Sequence, residues 1–509
     1  MSDRPEVPED WAGPLAELSR RRKAASAMGS PEKLARRHER GRLNAREVIA
    51  AFVDEGSFTE VGALVGSSDA LPADGLVGGI ATVDGNRVIL AVEDFTVKGG
   101  TIGHGTAAKR QRLTLLADQE RIPYILFLDG AGYRISNTLE RHPYTPNDLQ
   151  ALAALRGKVP TVAIVLGVAA GHSALSGVMA DFLVMLEDAC LFSAGPPLVA
   201  AASGETSSAQ ELGGADLHAR HSGLCHQIAE DEYAAFALVK RYLSFLPSAS
   251  GQRARRRQSP HSGPRSLGSI LQLVPHNPQL PYDMQRVIDT LIDADSQALL
   301  LHAAYGPSLI TCLARLGGYA VGIVANQPQV MAGAITTQAA RKAARFIRLC
   351  NNFHLPVVFL ADNPGILPGR QAEQQGILTD AAAMFSAQAA LRSPKLHVTL
   401  RKAYGFGSSI MAMNPFDRQT LTLAFPGATL AGIPSAGGAD AADLDEVARA
   451  QLREAECAAA WSSSDNLAYD DIIDPRELRN ALLTGLELSD QRGASHDIRS
   501  ICATNTIAE

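Results

Sequence analysis

Along the chain, apolar runs of seven to ten residues alternate with longer segments in which apolar positions recur every three or four residues. The runs read as buried strands and the segments as helices, which together predict an α/β architecture with strand-to-helix junctions as the places for sites. The order of these elements in residues 75–200 recurs in residues 315–435. Strand pairs open both stretches, "GLVGGIATVDGNRVILAVED" and "CLARLGGYAVGIVANQP". Each is followed by a glycine-bearing loop and a basic helix, "GGTIGHGTAAKRQRLTLLADQERI" and "MAGAITTQAARKAARFIRLCNNFHL". An apolar strand ending in an aspartate and a glycine turn comes next in both, "RIPYILFLDGAGYRIS" and "LPVVFLADNPGILPG". A further strand and turn then pair "KVPTVAIVLGVAAGHSALSG" with "SPKLHVTLRKAYGFGSSIMA", and a strand with a proline turn closes each copy. The match is one of pattern more than identity, and duplication is its economical explanation.

Between the copies, "SASGQRARRRQSPHSGPRS" (residues 248–266) reads as a solvated linker with a domain boundary inside it. The expected domains are therefore residues 1–255 and 267–509. Within the linker, Arg253 to Arg257 is a charge run that phosphates would suit, but a solvated face is the reading preferred for it. The first 50 or so residues have the spacing of a helical arm, and the tail from about Asp443 is helical as well.

At 509 residues the chain exceeds one ordinary core, and 46% apolar with 20% charged residues is the balance of a globular protein. A net charge of −6 gives no general reason to expect a nucleic-acid partner. The six cysteines lie far apart with no CxxC pair, which argues against a zinc ribbon or a disulfide scaffold. Residues 1–25 lack the apolar core of a secretory signal, so a cytoplasmic location is expected. The apolar stretch 159–186 carries His172 and Asp181 and reads as a buried strand entering a core helix, not as a membrane span.

Two equivalent turns carry candidate chemistry: "GVAAGHSA" (Gly167 to Ala174) and "KAYGFGSS" (Lys402 to Ser409). Small residues where a strand ends and a helix begins leave backbone N–H groups pointing outward and let a thioester or amide oxygen come close to the main chain. Such turns are candidate oxyanion holes, able to stabilise a developing negative charge with donors fixed in advance. Other site types find less support. There is no GxxxxGK[ST], no GxGxxG followed by a ribose-binding carboxylate, and no GxSxG elbow. His218, His221 and His226 form the one histidine cluster; without an accompanying carboxylate or cysteine pattern, hydrogen bonding in a loop is preferred to metal ligation, and no metal is expected. His172 reads either as a base or, preferably, as a packed residue.

In "RRHERGRLNAREVIAAFVDEGSFTEVG", "DGLVGGIATVDGNRV", "DFTVKGGTIG", "DEYAAFALVKRYLSFLP", "PYDMQRVID", "VGIVANQP", "KAARFIRLCNNFHLPVVFLADNPGILPG" and "KAYGFGS", the chain resembles the carboxyltransferase (β) subunits of biotin-dependent acyl-CoA carboxylases over nearly its whole length. The resemblance implies two tandem crotonase-like domains built from ββα units, the first on the acyl-CoA side and the second on the biotin side. Their task would be transfer of carbon dioxide from carboxybiotin to the α-carbon, or vinylogous carbon, of an acyl-CoA through an enolate. It also implies a role for specific residues. The backbone amides of Gly171 and His172 would hold the thioester oxygen, and those of Phe406 and Gly407 the ureido oxygen of biotin. Gly130, Ala131, Gly132, Ala170, Gly365, Gly405, Ser408 and Ser409 would line the substrates. Neither a biotin-attachment sequence nor an ATP-grasp signature is present, so biotin must arrive on a biotin carboxylase or biotin carboxyl carrier subunit. A homo- or hetero-hexamer is implied, with neither nucleic acid nor membrane as a partner.

Five departures from the family pattern stand out: His172 replaces a usual second glycine, Gly405 to Ser409 stand where GGAYD is common, Tyr133 takes a usual alanine position, Thr379 and Asp380 stand where a basic residue, histidine and glycine are common, and "IPSAGGADA" differs from the usual late glycine-rich segment. The changes at His172 and Phe406 motivate one other reading, a non-catalytic member of a mixed complex; the reverse reaction on the same fold and turns gives another, an acyl-CoA decarboxylase subunit.

Overall fold

The computed structural model describes residues 8–66, 71–139, 147–490 and 492. They divide into two compact units, one made of residues 1–218 and 228–240, the other of 219–227 and 241–509. Cys502 and both chain ends lie outside the described residues. Residues 219–227 and 241–255, expected with the first domain, pack with the second. For the latter stretch the reason is visible at Arg315, whose guanidinium donates to the Ser244 carbonyl at 2.5 Å and to the Arg255 carbonyl at 3.1 Å.

The first unit contains an eight-stranded sheet. Leu76–Val83 and Asn86–Glu93 form an antiparallel pair with Thr59–Glu60 outside it. From Asn86–Glu93 the sheet continues in parallel through Tyr124–Gly130, Thr161–Ala170 and Phe182–Leu186, and Cys190–Phe192 pairs with the far end of Thr161–Ala170. The second unit repeats this plan. Its antiparallel pair is Leu309–Leu316 and Tyr319–Asn326, and its parallel strands are Val357–Asn363, Lys395–Tyr404 and Leu421–Ala424, with Thr429–Ala431 on the far end of Lys395–Tyr404. Two sheets of the same strand order confirm the duplication and the ββα units of two tandem crotonase-like domains. The parallel strands are buried along almost their full length because helices cover them, which is why they read as continuous apolar runs.

Local devices are duplicated too. Each hairpin turns on two residues of positive φ, Asp84 (49°) and Gly85 (74°) in one, Gly317 (65°) and Gly318 (76°) in the other, as tight two-residue connections require. In each case a distant aspartate accepts both turn N–H groups: Asp54 at 3.0 and 2.9 Å, Asp293 at 2.9 and 2.7 Å. Both central strands slip register just before they end, between Leu128 and Gly130 and between Ala361 and Asn363, so the chain is re-aimed as it leaves the sheet.

The expected helical arm is present as Glu9–Ser26, Pro31–Glu39 and Ala45–Phe52. Its last helix starts with a capping box, Asn44 with Glu47, and delivers Phe52 into an edge-to-face cluster with Phe127 and Phe236. Residues 159–186 form a buried strand and a helix, as expected, the helix being short and followed by a second strand, Phe182–Leu186. Among the described residues no helix is long and apolar enough to cross a membrane.

Candidate active site: two glycine junctions

Thr161–Ala170 runs into Gly171, and helix His172–Val178 begins at once; Lys395–Tyr404 runs into Gly405, followed by helix Phe406–Ile410. Gly171 sits at φ 55°, ψ −115° and Gly405 at φ 53°, ψ −141°. These conformations exclude a side chain, so both positions demand glycine. The amides of the two glycines are engaged: Gly171 N–H donates to the Phe192 carbonyl at 3.1 Å and Gly405 N–H to that of Ala431 at 2.9 Å. This corrects one sequence expectation, because the Gly171 donor assigned to an oxyanion already has an acceptor inside the fold. By helix geometry the first helical residues have no intrahelical acceptor. At the first junction these are His172 and Ser173, and in the same register at the second, Phe406 and Gly407.

The turns that close each junction come from the neighbouring strand. Gly132 (φ 84°) lies so close to Ala170 that a Cβ on it would be 2.8 Å from the Ala170 carbonyl oxygen. A Cβ on Gly130 would be 2.5 Å from the Gly100 oxygen. Ala131 N–H donates to the Gly99 carbonyl, and the Gly132 carbonyl accepts from Ile102. In the second unit Gly365 (φ 112°) approaches the Tyr404 carbonyl and packs on Gly407. The structure therefore gathers Gly130, Ala131, Gly132 and Ala170 at one junction, and Gly365, Gly405, Phe406 and Gly407 at the other. Ser408 and Ser409 follow on the second helix, but the Ser408 hydroxyl is turned inward and donates to the Gly405 carbonyl at 2.7 Å. The Ser409 carbonyl accepts from Gln388. Phe406, by contrast, is 76% exposed and offers an open apolar ring.

What lies beneath the junctions differs. Under the first, fully buried Arg110 donates to Glu93 at 2.9 Å, to Asp148 at 3.0 Å and to the Ser176 hydroxyl at 2.7 Å. Ser173 donates to Glu93 at 2.7 Å, and His172 Nε2 is hydrogen-bonded to Asp148. Burial raises the Asp148 carboxyl, but Arg110 and His172 outweigh it and hold it down to about 2. Glu93 moves the other way, since burial outweighs its partners and raises it. Under the second junction the network is neutral: Asn326 Oδ1 accepts from the Asp362 N–H and from Asn363 Nδ2, and Asn363 Oδ1 accepts from the Gly365 N–H. A Cβ on Gly407 would stand 2.1 Å from Asn363 Oδ1, so the second junction has no room for the serine of the first.

The strand-ending aspartates are structural. Asp129 is ion-paired with Arg37 of the arm at 2.6 Å, and Asp362 with Arg401 at 2.7 Å and Lys402 at 2.6 Å. The histidine cluster is dispersed: His218 Nε2 bonds the Leu191 carbonyl at 2.7 Å, while His226 stacks on His302 with ring centroids 3.9 Å apart. No group of metal-ligating side chains exists among the described residues. Sequence reasoning missed Glu93, Arg110, Asp148, Ser173, Asn326 and Asn363. Arg110 carried a signal, since it shares one helix face with the buried Ala107, Leu113 and Ala117.

Comparison with known proteins places this geometry. The model of the carboxyl transferase domain matches residues 36–498. The chain is 34% identical over 495 residues to the methylmalonyl-CoA carboxyltransferase 12S subunit of Propionibacterium freudenreichii subsp. shermanii, with 94% of each chain covered. It is 32% identical to the methylmalonyl-CoA decarboxylase subunit alpha of Veillonella parvula, over 91% of this chain and 93% of that one. Among solved structures, that of transcarboxylase 12S, a hexamer described with methylmalonyl-CoA bound, superposes with a TM-score of 0.88 at 32% identity, covering 97% of this chain and 98% of that one. A family match across most of the length, relatives above 30% identity and a shared two-sheet fold lead to one conclusion: the chain belongs to the carboxyl transferase domain family.

Proposed function

We propose that this chain is the carboxyltransferase subunit of a biotin-dependent acyl-CoA carboxylase, and that its two junctions serve the two reacting molecules. The observation that carries the reading is the pairing itself: two strand–glycine–helix turns in one register, each presenting outward N–H groups that the helix does not use. Carboxybiotin, brought by a partner subunit, supplies the carbon dioxide. The second junction suits a flat, uncharged ureido ring: it combines the Phe406 and Gly407 amides, the open Phe406 ring and a neutral amide network. At the first junction the His172 amide, with that of Ser173 beside it, donates to the thioester oxygen of an acyl-CoA as the α-carbon becomes an enolate. Fixed donors favour the charged transition state over the neutral thioester and need no reorganisation as the charge forms. Asp148 and Arg110 hold the His172 side chain so that the turn keeps its geometry.

ATP-dependent fixation of labelled bicarbonate, measured with the cognate biotin-carrying subunit across acyl-CoAs from acetyl to long and branched chains, tests the reading. Turnover on one class supports it and identifies the acyl group; no turnover on any, with biotin carboxylation shown separately, overturns it. Similarity to the Veillonella decarboxylase subunit favours a second reading, the reverse reaction on the same junctions. Release of carbon dioxide from a carboxyacyl-CoA without net fixation in the same assay would select it.

A further inference from the structure

The junctions follow the C-terminal ends of the parallel strands. At the opposite ends in the second unit, where Tyr319–Asn326, Val357–Asn363 and Lys395–Tyr404 begin, lies a cavity of about 100 Å³. Strand Lys395–Tyr404 has ten residues, so at about 3.3 Å per residue the cavity is roughly 30 Å from the second junction. Among the described residues four arginines line it, Arg253, Arg256, Arg392 and Arg492, against a single carboxylate, Asp490. In a chain of net charge −6 this is a local excess of the opposite sign.

The arginines are arranged, not merely numerous. Arg253 is tied by its guanidinium to the Asp490 and Arg492 carbonyls, and Arg256 is pinned between the Gly317 carbonyl and the face of Tyr319, 4.0 Å from its ring centroid. Their ion pairs are long, 3.5 Å from Arg253 to Asp490 and 3.9 Å from Arg256 to Glu487, so neither charge is closely neutralised. Exposed Arg392 has no side-chain partner among the described residues. It also borders the adjoining groove, with Arg418 and Arg492. Setting four guanidinium charges against Asp490 and Glu487 leaves two positive charges, those of a dianion's counter-charge. A second, independent feature points the same way: Ser393, 4% exposed, lines the cavity, and its buried hydroxyl has no hydrogen-bond partner. A buried polar group left unpaired is costly, and an incoming oxyanion would satisfy it.

We propose that this cavity binds a phosphoryl group, either inorganic phosphate or the terminal phosphate of a small molecule. Guanidinium forks match the oxygens of phosphate, and the Ser393 hydroxyl donates to one more. The site lies at the strand ends opposite the second junction, so its occupancy is separable from the reaction assigned there.

Calorimetric titration of the full chain with inorganic phosphate, and separately with ADP, at constant ionic strength tests this. We expect saturable binding that Arg392→Ala weakens at least about tenfold and Ser393→Ala more modestly, as loss of charge-assisted and neutral hydrogen bonds implies. Acyl-CoA affinity should be unchanged in both variants, which Arg392 at the surface makes a fair control for folding. Binding of ADP without binding of phosphate alone would assign the phosphoryl group to a nucleotide; binding of phosphate alone would assign it to the free ion. Absence of both, affinity indifferent to both substitutions, or displacement of phosphate by acyl-CoA would overturn the proposal.

Discussion

The two junctions share a backbone and differ in what supports it. Gly171 and Gly405 adopt nearly the same conformation, donate to equivalent carbonyls and start equivalent helices. Beneath the first lies a buried ionic set, Arg110, Glu93 and Asp148, reaching up to His172 and Ser173; beneath the second lies a pair of asparagines and a glycine that tolerates no side chain. Duplication preserved the donors while the support diverged. The lesson is that a backbone site is specified by φ, ψ and register, and that the side chains below it are free to differ in charge as long as every buried polar group is paired.

That comparison can be broken at several points. Among substitutions that leave the first N–H of each helix in place, the largest effect is expected at Gly407. Gly407→Ala puts a Cβ against Asn363 Oδ1, displaces the second junction and should lower carboxyl transfer by about 100-fold, as a misplacement near 1 Å can. Ser173→Ala at the matching position removes one hydrogen bond to Glu93 and should leave turnover within a few-fold, as steady-state kinetics would show. Next comes Arg110→Met, which strands Glu93 and Asp148 in the interior and should cost about 3–5 kcal/mol, read from the melting temperature.

Asp148→Asn sharpens the contrast through pH. Its folded-state carboxyl is held below the ordinary 3.8, to about 2, so the wild-type carboxylate stabilises the fold above its ordinary value and loses that contribution as pH falls toward 2. The variant should melt lower at neutral pH and show a flatter decline between pH 4 and 2.

The smallest effects distinguish two lysines in one register. Lys109 faces Glu60 at 3.0 Å, whereas among the described residues buried Lys342 donates only to the His302 carbonyl, and burial alone pushes it down to about 7. A lysine whose folded value is depressed makes the wild type gain stability as pH rises from about 7 toward its ordinary 10.5. Lys342→Met should abolish that rise and lift the melting temperature at pH 7; burial also depresses Lys109, but Glu60 offsets part of it, so Lys109→Met should change the melting temperature less.

Much of this was legible in the sequence. The duplicated strand-turn-helix order, the hairpins at "VDGN" and "LGGY", and both junction glycines follow from local pattern, because strands, tight turns and positive-φ positions are dictated by neighbours in the chain. The supporting networks were not legible. Arg110 meets Asp148 and Ser176 across 38 and 66 residues, and no local pattern marks such a meeting. The engaged Gly171 amide was hidden for the same reason, its acceptor Phe192 being supplied by a later strand. The arginines of the linker read as a solvated run, yet Arg253 and Arg256 are fixed by carbonyls far along the chain.

In the proposed reading the first backbone N–H of each junction helix is the donor that matters. Proline is welcome at the first helical position and removes only that N–H, so His172→Pro compared with His172→Ala, and Phe406→Pro with Phe406→Ala, isolates it. In carboxyl transfer assayed with the biotin-carrying subunit, each proline variant should fall about 10²–10³-fold below its alanine partner, the loss seen when one oxyanion donor is removed. Equal rates for the proline and alanine variants at both junctions would contradict it.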